Sequence, residues 1–135
     1  MTTPRLPDWQ ARFGALCAEL HAMPFSWASN DCILFAADCI LACTGVDPAA
    51  GHRDYPADAL GAARMLATFG GVSEVGDAFA GAPIPLLMAF VGDIGLIESE
   101  GRDCLAVCNG TTWLAPGVSG LVVVPFDRAR RAWRF

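Results

Sequence analysis

Lysine is missing from this chain; all nine of its cations are arginine. Charge of either sign is scarce, at 17% of 135 residues against 54% hydrophobic. Such a balance excludes an intrinsically disordered chain, which has too little apolar surface to offset its ordering entropy. The net charge of −5 and the lack of a broad basic face exclude nucleic acid as a partner. The one basic cluster is Arg128, Arg130, Arg131 and Arg134. It reads as a short last helix whose cations suit its C-terminal dipole, or as a docking patch for an acidic surface. Long apolar runs are also lacking. Leu86 to Val91 is far too short for a bilayer, so no membrane span is expected. MTTPRLPDWQ does not have the charged-then-apolar layout of a signal peptide, which points to assembly in the cytoplasm.

Histidine is nearly absent, at His21 and His52. The six cysteines are Cys17, Cys32, Cys39, Cys43, Cys104 and Cys108, and none forms a CxxC pair. Without that spacing the expectation is no cofactor and no metal, the thiols serving as small apolar core groups. A four-thiol zinc site from Cys39, Cys43, Cys104 and Cys108 is the alternative. The length suits a single domain, residues 1–135, and no repeat or linker interrupts it.

What is present divides in two. Apolar spacing predicts a helix from Asp8 to about Met23, stopped by Pro24. A second helix, apolar nearly all round, runs from Asn30 or Asp31 to Thr44, with Gly45 as its stop. Helices over 57–69 and 72–79 follow. Beyond AGAPIP the pattern becomes strands: 92–99, 104–108, a two-residue Asn109-Gly110 hairpin, 111–115 and 121–124, then a short helix over 127–133. Helices first and an antiparallel sheet after define an α+β domain, the N-terminal helices packed on the C-terminal sheet.

The chemistry centres on FSWASNDCILFAADCI, residues 25–40. Cys32 falls in the first turn of the second helix, where unpaired N–H groups and the helix dipole favour thiolate. Either it is a nucleophile or it is one more buried thiol. Asp31 reads as the helix cap, and its charge opposes thiolate formation. Trp27 and Tyr55 are candidates to line a substrate groove, or edge-of-core aromatics. His52, in the GHRDYP loop, is either a base folded back over Cys32 or a solvated loop residue. His21 suits a helix C-terminus.

NDCILFAAD (30–38), VGDIGLI (91–97) and DCLAVCNG (103–110), in that order, resemble the NlpC-type cell-wall cysteine peptidases of papain-like fold. PFSWASNDCILFAAD with TGVD, a later GG and the terminal AWRF is similar to small phage, prophage and gene-transfer-agent tail-tip proteins. The resemblance implies a papain-like domain in a virion tail, contacting other tail-tip or hub proteins and, where active, peptidoglycan peptides. Cys32 would be the nucleophile of that peptidoglycan hydrolase. The family pattern also puts a catalytic His at the opening of the second strand. Here that slot falls at or near Cys104. A missing base implies weakened or lost catalysis, a pseudoenzyme; the alternative is an active endopeptidase drawing its base from His52.

Overall fold

The computed structural model describes residues 4–135. Four helices come first: α1 (Trp9–Leu20), α2 (Cys32–Thr44), α3 (Ala59–Phe69) and α4 (Val72–Ala80). Five strands follow: β1 (Ile94–Ser99), β2 (Arg102–Cys108), β3 (Thr112–Gly117), β4 (Gly120–Pro125) and β5 (Arg131–Trp133). They form one antiparallel sheet in the order β4-β3-β2-β1-β5. The α+β expectation therefore holds.

Local chemistry sets the helix ends. Asp31 caps α2 through Leu34 N–H at 2.9 Å, and Asp58 caps α3 through Gly61 N–H. Gly45 closes α2 at φ 78°, a left-handed conformation that costs glycine little. Asp8 stands at the start of α1 but turns its carboxylate to Arg12 rather than to the helix N–H groups. That helix ends at Leu20, three residues short of the predicted end near Met23.

Alternation on the strands sends Ile94, Leu96, Leu105 and Val107 toward the helices. There they meet Phe35, Ala36, Cys39, Ile40 and Cys43 of α2 and Val75 of α4. Burial of a side chain such as Phe35 stabilises the fold by roughly 1.5–3 kcal/mol. Ile97, Ala106, Cys108 and Trp113 face the other way, under Ile84, Leu86, Ala89, Phe126 and Ala129 of the connecting segments. Gly95 belongs to this second face: a Cβ there would come within 2.6 Å of the Trp113 ring.

Two sequence expectations and one alternative need correction. No helix covers 127–133; a 3-10 turn, Phe126–Arg128, leads into β5, which pairs with β1. The terminal arginines are accordingly not helix-dipole partners. Arg134 reaches the buried Asp93 at 2.7 Å, Arg131 bonds Ser73, and Arg130 pairs with Asp103. The Asn109-Gly110 turn has three residues between strands rather than two, because Asn109 Oδ1 accepts from Thr111 N–H, Thr112 N–H and the Thr112 hydroxyl. Last, the four thiols considered for zinc do not converge. Cys39 and Cys43 lie beside Cys17, while Cys104 lies beside Cys32. Among the described residues no group of three or more metal-binding side chains forms.

Candidate functional site

The segment ahead of α2 is tightly folded. Ser26 and Asn30 bridge each other, and Ala28 between them takes φ 63°, a left-handed conformation uncommon for a residue with a Cβ. Asp31 gathers this turn. Its Oδ2 accepts from Ala28 N–H at 3.0 Å and from the Tyr55 hydroxyl, while its Oδ1 caps α2. The carboxylate is 2% exposed. Asn30 is equally buried and donates its amide to the Met23 and Pro24 carbonyls. Cys32, first residue of α2, follows directly on these two buried side chains.

Cys32 meets the sheet at the Cys104–Leu105 peptide of β2. Cys104 and the Leu105 N–H are the β2 groups that act on its sulfur. The two thiols share one proton environment with opposite results. Cys32 is pushed well above the ordinary thiol value by its bond to Cys104, by burial and by the Asp31 charge, against the pull of Leu105 N–H. Cys104 is lowered, first by the bond from Cys32 and then by the nearby Arg102 cation, against its own burial. Of the two readings of Cys32, nucleophile or buried thiol, these groups favour the protonated thiol. The helix dipole remains, but Cys104, burial and the Asp31 charge oppose it.

Cys32 lines an apolar cavity of about 150 Å³, together with Phe25, Trp27, Leu66 and Arg102. A larger cleft of about 650 Å³ adjoins it and shares Phe25, Trp27 and Arg102 before running to the β3–β4 turn. Trp27 packs edge-on to Phe25 at 4.7 Å, and the Arg102 guanidinium lies 5.8 Å from the Trp27 ring centre. Trp27 lines both cavities. Tyr55 instead supports Asp31 from behind. Burial and the Asp31 carboxylate raise its phenol well above the ordinary value, so it stays protonated as a donor.

His52 is exposed, and its ring packs on Phe69 with centroids 4.9 Å apart. The structure brings Cys32, Asp31 and Tyr55 together with Cys104 and does not add His52 to them; the groups acting on Cys32 are Cys104, Leu105 and Asp31. His21 follows the last turn of α1, where its carbonyl accepts from Leu121 N–H. Cys104 and Arg102 were not singled out as site residues from sequence. For Cys104 a signal existed, since it occupies the strand slot opposite the helix thiol.

The fold and this site define an α+β domain with a helix-borne thiol facing a strand-borne thiol at the end of a cleft. The chain belongs to the DUF6950 family, a domain of unknown function whose model matches residues 4–135. No curated protein matches the sequence.

Proposed function

We propose that this is an NlpC-type, papain-like domain whose peptidase chemistry is weakened or lost. It serves as a tail-tip component of a phage, prophage or gene-transfer-agent particle, assembled in the bacterial cytoplasm and held by other tail or hub proteins. The observation that carries the reading is Cys104. A cysteine peptidase needs a base beside its nucleophile, to take the thiol proton and return it to the leaving amine. Cys32 has a second thiol in that place, and a thiol that raises its pKa rather than lowering it. Exposed apolar residues support the assembly role. Leu87, Met88 and Phe90 stand out on one connecting segment, Val118, Val122 and Val123 on the β3–β4 hairpin, with Leu87 at 90% exposure.

The test compares the thiols by labelling with a small alkylating reagent across pH, read by mass spectrometry beside Cys32→Ser. Peptidoglycan peptides are incubated with the same samples. Expected are a Cys32 rate that rises only above the ordinary thiol range of about 8.5 and no peptide cleavage. Rapid labelling confined to Cys32 at neutral pH, with cleavage lost in Cys32→Ser, would establish the active endopeptidase instead. The cleft that ends at Cys32 favours that second reading. It needs a base from another source, His52 after a loop movement or a neighbouring subunit.

A further inference from the structure

We propose that Cys32 and Cys104 form a redox-convertible dithiol, which a hydroperoxide closes to a disulfide between α2 and β2. The proposal stands apart from the peptidase-like reading; it needs only the two facing thiols and their access. Both are free and half-buried, whereas Cys39, Cys43 and Cys108 are sealed in the core. The cavity at Cys32 is bordered by Arg102 and Asp103, the residues just before Cys104. Its 150 Å³ accommodates a molecule the size of a small peroxide, since one water occupies about 30 Å³ of liquid. Each thiol sits near the start of its element, Cys32 first in α2 and Cys104 third in β2.

Cys104, two residues after the Arg102 cation on the same strand, attacks first. The Cys104 sulfur takes the distal oxygen of the peroxide, the O–O bond breaks, and the departing alkoxide or hydroxide leaves with a proton as alcohol or water. Cys104 is then a sulfenic acid. Cys32 gives up its proton and its sulfur attacks that of Cys104; the S–S bond forms, the S–O bond breaks, and water leaves. Two thiols lose two electrons and one hydroperoxide gains them. Asp31 caps the helix turn that Cys32 begins.

The experiment treats the reduced full-length chain with one equivalent of hydrogen peroxide and maps the products by mass spectrometry. Expected is a loss of two hydrogens and a cross-link between the tryptic peptides 13–53 and 103–128. It should vanish in Cys32→Ser and in Cys104→Ser, persist in Cys39→Ser and Cys108→Ser, and reverse with dithiothreitol. Circular dichroism confirms that each variant is folded. A sulfenic-acid trap such as dimedone gives a second readout: Cys104 should be labelled in Cys32→Ser and not in the unaltered chain. In the unaltered chain the cross-link should also raise the melting temperature, a readout that needs no variant. No cross-link, a cross-link that survives either variant, or further oxidation of Cys104 in the unaltered chain overturns the proposal.

Discussion

Asp31 and Asp93 look alike in the sequence and do different work in the fold. Each stands one residue before an element, Asp31 before α2 and Asp93 before β1, and each is sealed, at 2% and 0% exposure. Each also closes a short turn, through Ala28 N–H and Phe90 N–H respectively. Their partners separate them. Asp93 receives Arg5 at 3.1 Å and Arg134 at 2.7 Å, so two cations from opposite ends of the chain neutralise it. Asp31 is bonded by neutral donors: two backbone N–H groups and the Tyr55 hydroxyl. A neutralised buried carboxylate ties chain ends together. One left with its negative charge beside a thiol acts on that thiol's chemistry.

Substitution of the two should separate stability from reactivity. Asp93→Ala leaves Arg5 and Arg134 facing a buried vacancy, and loss of one partner from such a cluster costs about 3 kcal/mol or more. Urea denaturation should show that loss, while alkylation of Cys32 in the folded chain keeps its pH profile. Asp31→Ala should cost less, about 1–2 kcal/mol for a lost helix cap. Its mark is on the thiol: without the neighbouring anion, Cys32 should react at lower pH than before. Equal stability losses together with an unmoved Cys32 profile would show that the two carboxylates play the same structural part.

The unequal legibility of these residues has a physical reason. Capping is local, so the Asp31 position and the α2 boundary could be read from a few neighbouring residues. The first four predicted helices and the first four strands were recovered to within a few residues for the same reason: their patterns have periods of 3.6 and 2. β5 escaped because its reason for being a strand lies almost forty residues away, in the free edge of β1. Density of arginine suggested a helix, although Trp133 and Phe135 alternate with Arg134 and both are buried. The ties from Arg5 and Arg134 to Asp93 span most of the chain and leave no local trace. Cys104 lay between these cases. The motif order located its slot, but which group faced Cys32 depended on how α2 crosses β2. With no histidine available there, the sequence reading found an absence where the fold has a second thiol.

The smallest expected effect tests how Asp31 is held. Tyr55 is the chain's one tyrosine, and its hydroxyl donates to Asp31 Oδ2. Tyr55→Phe keeps the ring packing and removes a single hydrogen bond to a carboxylate, which typically costs about 1 kcal/mol and leaves the other two donors in place. Its pH dependence is more specific. Burial and the Asp31 charge raise the phenol above its ordinary value of 10.0, so the folded chain keeps this proton where the unfolded chain releases it. The contribution is therefore whole below about pH 10 and declines as pH rises beyond that. Denaturant midpoints measured at neutral pH and at about pH 11 should fall less steeply in Tyr55→Phe than in the unaltered chain. Parallel slopes would mean that the backbone donors alone position Asp31, and hence Cys32, leaving Tyr55 as packing.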